Sequence, residues 1–145
     1  MEYRKFEHTF VVRLDPGDEI LVSLTELCRE EGINLASVTG LGAVDKVHLG
    51  VFDTEKKQYY SREYQGLYEI ASLMGSITQK AGNPYLHLHM VIGNPHTGEC
   101  HGGHLSRGVI SATGELIITE IPGTVERRED EAIGLNLFQF HEKNG

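Results

Sequence analysis

Residues 84–105 read PYLHLHMVIGNPHTGECHGGHL and hold five of the chain's eight histidines. Residues 85–92 have strand character, and positions i and i+2 of a strand share a face. His87 and His89 therefore project together, with Leu88 and Met90 on the opposite side. Residues 93–98, Gly-Asn-Pro-His-Thr-Gly, have turn composition. A second strand-like run follows from His101 and includes His104. A loop over residues 94–97 would pair Ile92 with Glu99 and His87 with His104, with His89 diagonal to His104. Opposed residues bring their Cβ atoms to about 4.5–5.5 Å, so three imidazoles would converge. A slip of one residue would turn His104 to the other face. Three neutral imidazoles around an open position suit a tetrahedral zinc-type site. Gly102 and Gly103 suit a close backbone or ligand approach. Strand histidines also occur facing solvent or bonded to backbone carbonyls, and an HxH with a distant third His is less specific than HExxH or paired CxxC. Spacing alone leaves both readings open.

The rest of the chain predicts one domain over residues 1–145. No apolar run reaches the ~20 residues that span a bilayer, and the first ten residues lack the apolar core of a signal peptide; a cytoplasmic location is the expectation. Cys28 reads as a core residue of a helix. Cys100 lies near the histidines as a fourth ligand, a reactive thiol or an incidental strand residue. The net charge is −8, and the thirteen Lys and Arg are scattered. Arg127-Arg128 form a small basic cluster flanked by Glu126, Glu129, Asp130 and Glu131. This pattern argues against sequence-independent nucleic-acid binding, which needs a basic face.

In chain order, residues 6–14 alternate as a strand, with Phe6, His8, Phe10 and Val12 on one side. A turn at residues 15–18 leads into a helix begun by Asp18, carrying Ile20, Leu21, Leu24, Leu27 and Cys28 at helical spacing and stopped by Gly32. Two short strands flank Gly40-Leu41-Gly42, which lacks a full phosphate-loop pattern and reads as close backbone packing. Residues 53–57 form a turn. Residues 58–64 read as an edge strand whose Tyr59, Tyr60 and Tyr64 pack amphipathically or form a ligand surface. Residues 68–77 form a strand in which Gly75 allows a bulge or bend, residues 79–83 a loop, 112–114 a turn, and 115–121 a buried strand ended by Pro122-Gly123. Residues 141–145 read as a frayed tail.

Several segments carry a resemblance. Gly66-Leu67-Tyr68-Glu69-Ile70-Ala71-Ser72-Leu73 is similar to a GRFEILSL core, and Gly102-Gly103-His104-Leu105 to a GGHL segment. The GLGAV at residues 40–44 and the strand opened by Thr113-Gly114-Glu115 fit the same pattern. On these the chain resembles the PPC (plants and prokaryotes conserved) domain, over roughly residues 6–137, and its HxH strand resembles the prokaryotic branch. The resemblance implies an α/β fold of α+β type, a mostly antiparallel mixed sheet flanked by helices, assembled as a homotrimer. It also implies metal ligation by His87, His89 and His104, with His101 in reserve and His96 left to solvent. Plant members join this domain to an AT-hook that reads DNA; no Arg-Gly-Arg-Pro core occurs here.

These readings lead to a homotrimer with a histidine metal or small-ligand site near a subunit boundary. Zinc suits three imidazoles, as do copper, nickel and iron. A metal-dependent enzyme is the first rival, with Glu69, Glu99 or Glu120 as candidate bases. A DNA-associated regulator, favoured by the family label and disfavoured by charge, is the second. A partner-recruitment module without metal is the third.

Overall fold

A computed structural model describes residues 1–140. One mixed, almost wholly antiparallel eight-stranded sheet and one helix account for the architecture: β1 (Glu2–Phe6), β2 (Thr9–Leu14), α1 (Ile20–Glu31), β3 (Ala36–Asp53), β4 (Gln58–Lys80), β5 (Asn83–Asn94), β6 (Glu99–Glu120), β7 (Glu126–Asp130) and β8 (Leu135–Gln139). Neighbours run β1-β2-β6-β3-β4-β7-β8, and β5 pairs with both β4 and β6. Strands β3, β4, β5 and β6 therefore close a ring of antiparallel pairs. Among the described residues, the single parallel contact joins Gln79 of β4 to Glu126 of β7.

The expected α+β sheet is present, but one helix covers it rather than several among the described residues. Helix α1 buries Ile20, Leu24, Leu27 and Cys28 on one stripe, each large apolar side chain worth about 1.5–3 kcal/mol of burial. Its first turn is capped by Glu19, not Asp18. The Glu19 carboxylate accepts Val22 N–H at 2.8 Å and Gly108 N–H at 2.9 Å, tying the helix start to β6. Asp18 instead accepts Asp15 N–H at 2.8 Å in the preceding turn. Gly32 ends the helix at φ 68°, as expected.

Most differences from the sequence reading have one cause: strands run on through glycines. Gly40 and Gly42 do not separate two strands but lie inside the 18-residue β3. A Cβ on Gly40 would stand 3.0 Å from Glu115 O, which is the close packing expected. The turn expected at residues 112–114 is continuous β6, with Gly114 between Gly42 and Leu14. Gly75 marks no bend; it lets β5 approach, since a Cβ there would overlap the His87 carbonyl oxygen. The irregularity falls between Ile70 and Ser72, and the extra residue lets Ile70 and Leu73, three apart, both face the core. The loop expected at 79–83 shrinks to Ala81-Gly82, both at positive φ, between paired Lys80 and Asn83. A short β1 hairpins onto β2, so Phe6 and Thr9 close a turn rather than share one strand. The charged and apolar runs near the end become the β7–β8 hairpin. The expected tail at residues 141–145 lies outside the described residues.

Candidate metal centre

The alternation of β5 sorts its side chains as expected. Leu88, Met90 and Ile92 are buried, while His87 is half-buried and His89 exposed on the other face. The hairpin register differs by two residues from the one expected: Asn94 pairs with Glu99, and His104 faces His89 rather than His87. The turn chemistry explains the shift. Asn94 stays in the ladder, and its side-chain oxygen accepts the N–H groups of His96 and Thr97 at 2.9 and 3.2 Å. Gly98, at φ 76°, takes the left-handed position and donates its N–H to Asn94 O at 2.9 Å. A shift of two preserves the face, so His104 still joins the pair.

The potential ligand atoms of His87, His89 and His104 all lie within 4.8 Å of one another. His87 Nε2 and His89 Nε2 are 3.2 Å apart, and the ring centroids are separated by 5.1–5.8 Å. Tetrahedral zinc with Zn–N near 2.0–2.1 Å separates its nitrogens by about 3.3 Å, a spacing one pair already has. Burial first, then the charges of His104, Arg127 and His89, pulls the His87 pKa down to about 4. Burial and His89 lower that of His104. Both imidazoles are thus neutral at physiological pH, the form that binds a metal.

The histidines line a cavity of about 490 Å³. Tyr59 stands edge-on to His104 at 6.0 Å and shares a 2.8 Å hydrogen bond with Ser106 Oγ. It is the one tyrosine of its strand that reaches the cavity; Tyr64 stacks on His101 at 4.2 Å instead. Gly103 lets β6 lie against Gly50 of β3, where a Cβ would stand 2.8 Å from Gly50 O. The β7–β8 hairpin adds Arg127, Leu135, Asn136 and Leu137 to the lining. Arg127 is held by Thr78 Oγ1 at 2.8 Å, Asn136 O at 2.9 Å and Ser76 Oγ at 3.3 Å, with Tyr85 and Phe138 against its guanidinium. Sequence reasoning registered Arg127 only as half of a basic pair; nothing local marks it as buried.

The other candidates fall elsewhere. His101 pairs with Ile92 and faces Tyr64 and Glu99, 3.7 Å from the carboxylate. His96 is exposed in the turn. Cys100 is exposed and outside the cluster. Glu99 accepts from Tyr68 at 3.4 Å and Thr97 at 3.0 Å, and Glu120 pairs with Lys5 at 3.5 Å. Neither these nor Glu69 lines the cavity.

A cross-strand row connects the cluster to the rest of its face. Val11, Ile117, Thr39, Met74, His89 and His104 are paired in succession through β2, β6, β3, β4, β5 and β6. Val11, Ile117 and Met74 are exposed, as are nearby Phe6 and Leu41. No helix of the described residues is long and apolar enough to cross a membrane.

Residues 1–122 match the family model of the Plants and Prokaryotes Conserved (PCC) domain. No curated protein matches the chain in sequence. Among solved structures, a candidate DNA-binding protein from Bacteroides thetaiotaomicron is 28% identical, with a TM-score of 0.92 over 96% of each chain. A metal-containing protein from Archaeoglobus fulgidus is 32% identical, with a TM-score of 0.85 over 96% of this chain and 97% of its own. A plant- and prokaryote-conserved (PPC) protein from Pyrococcus horikoshii is 30% identical, with a TM-score of 0.83 over 98% of this chain and 96% of its own.

Proposed function

The chain belongs to the Plants and Prokaryotes Conserved domain family, and we propose that it is a homotrimeric member that holds a divalent transition metal, zinc first, on His87, His89 and His104. The observation that carries this reading is the convergence of three imidazoles in the lining of one cavity. Three nitrogen donors leave a fourth position open to a small ligand. The description of the A. fulgidus relative as metal-containing supports it. When bound, the metal supplies a Lewis-acidic position; the protein orients the three rings and walls the site with Tyr59 and the β7–β8 hairpin.

The apolar row on the histidine face supports the assembly. Phe6, Val11, Leu41 and Ile117 are each 42–56% exposed, and a contiguous apolar strip of this kind marks an interface. A metal that binds only the assembled protein would stabilise the assembly by mass action. The test is metal analysis of tag-free protein with light scattering before and after chelation. Near-stoichiometric metal, kept in His96→Ala and lost in His104→Ala, is the expected result. Metal-free protein that takes up no zinc, with melting temperature unmoved by it, would remove the metal.

A second reading is favoured by the B. thetaiotaomicron relative's description as a DNA-binding candidate. Direct duplex contact predicts affinity that falls steeply with salt. With a net charge of −8, the expected result is no binding to AT-rich duplex at low salt, leaving recruitment through a partner as the route to DNA.

A further inference from the structure

Among the described residues, Arg127 is a buried cation without an anion. The residue is 7% exposed, and among the described residues it forms no ion pair. A charge withdrawn from water normally keeps a counter-charge. A guanidinium has five N–H donors; Nε, Nη1 and Nη2 give one each to Thr78, Asn136 and Ser76, leaving one on each terminal nitrogen. The ring of Tyr85 lies 4.7 Å and that of Phe138 4.4 Å from the guanidinium carbon. They stabilise the cation through their faces without neutralising it. Ser76, Thr78 and Asn136 fix the head group from two different strands, so its position costs little to maintain when a ligand arrives.

What faces this cation is the cavity shared with the histidines. Among the described residues no Lys and no second Arg lines it, and its apolar walls include Val51, Phe52, Leu135 and Leu137. A volume near 490 Å³ admits a small molecule. One fixed positive charge with two remaining donors matches the two oxygens of a carboxylate, and the walls match carbon rather than further charge.

We infer that Arg127 anchors a binding site for a small organic carboxylate, whose carboxylate group takes the two remaining guanidinium N–H groups and whose apolar remainder lies along Phe52, Leu135 and Leu137 toward the histidines. The inference rests on the metal reading only for the far end of the ligand, where the open coordination position would be its second anchor. It assigns a role to the β7–β8 hairpin, which lies beyond the residues matched by the family model.

The test uses the wild-type protein, EDTA-stripped and zinc-loaded, titrated by calorimetry with hexanoate, with hexanamide as its neutral counterpart and with inorganic phosphate. In parallel, nitrogen-edited NMR follows the arginine Nε–H resonances. Hexanoate is expected to shift one Nε–H, absent from the Arg127→Lys spectrum, and to bind at least tenfold more tightly than hexanamide. Arg127→Lys is expected to weaken hexanoate tenfold or more and leave hexanamide unchanged. Equal binding of acid and amide to the wild type overturns the inference even if the variant fails to fold, as does tighter binding of phosphate. Zinc uptake with no response to hexanoate overturns this inference and leaves the metal site standing. Hexanoate binding to protein that takes up no zinc upholds the Arg127 anchor and removes the metal reading alone.

Discussion

Replacing Gly75 by Ala is expected to cost about 3 kcal/mol and to spoil the histidine centre from the opposite strand. Gly75 pairs with Leu88, in the middle of the β4–β5 ladder, and its neighbour Ser76 pairs with His87. A Cβ at Gly75 would overlap the His87 carbonyl oxygen and stand 2.8 Å from Leu88 Cα. Non-bonded carbons rest at about 3.5–4.0 Å, so β5 must retreat by roughly 1 Å. Both obstacles are backbone, which no rotamer change can move. Overpacking costs about 1–3 kcal/mol, and this geometry belongs at the upper end. With a urea m-value of about 1–3 kcal/mol/M, the midpoint falls by roughly 1–3 M. Because the displaced backbone carries His87, affinity for zinc at the proposed site is expected to fall as well. The control is Gly102→Ala, whose Cβ meets a movable Val91 methyl at 3.3 Å and is expected to cost under about 1 kcal/mol. Urea unfolding of both variants, metal-free and at one protein concentration, compares them directly. If their midpoints agree within error, the close approach is not what holds β5 in place, and the reasoning fails.

Other perturbations probe the remaining claims. The His87 pKa is held down to about 4 against about 6.5 in an unfolded chain, so between these values the unfolded chain binds the proton first. Metal-free protein therefore loses stability as pH falls from about 6.5 to about 4, and His87→Asn should flatten that part of the wild-type urea-midpoint profile; parallel profiles would refute it. Burial drives the Cys28 thiol up to about 12, while Cys100 is exposed, so a thiol reagent at pH 8 should label Cys100 and spare Cys28 until the protein unfolds. Ile117→Glu places a charge in the middle of the exposed apolar row and should dissociate the proposed trimer, read by light scattering, while far-ultraviolet circular dichroism stays unchanged. A trimer unaffected by the substitution would move the interface to another face.

What the sequence determined by itself was parity. A strand repeats every two residues, so His87 and His89 share a face and Leu88 and Met90 oppose them whatever the rest of the chain does. The same parity kept His104 with its partners although the hairpin closed two residues away from the expected register. The helix was legible for a like reason: Ile20, Leu24, Leu27 and Cys28 form one stripe, and Gly32 can end it at positive φ. Everything that depended on which strands meet was decided by the tertiary structure. Glycines that looked like breaks at residues 40–42 and 112–114 are where strands pass too close for a Cβ, and the ring of β3, β4, β5 and β6 exists only as long-range pairing. The deepest case is Arg127. The Arg127-Arg128 pair is flanked in sequence by acids, which mark a solvated charged run, yet folding sets Arg127 against Thr78, Tyr85 and the cavity of His87. Local pattern encodes the face a side chain takes; the company it keeps there comes from residues 40 to 50 positions away, brought in by hydrogen bonds and burial that no local window contains.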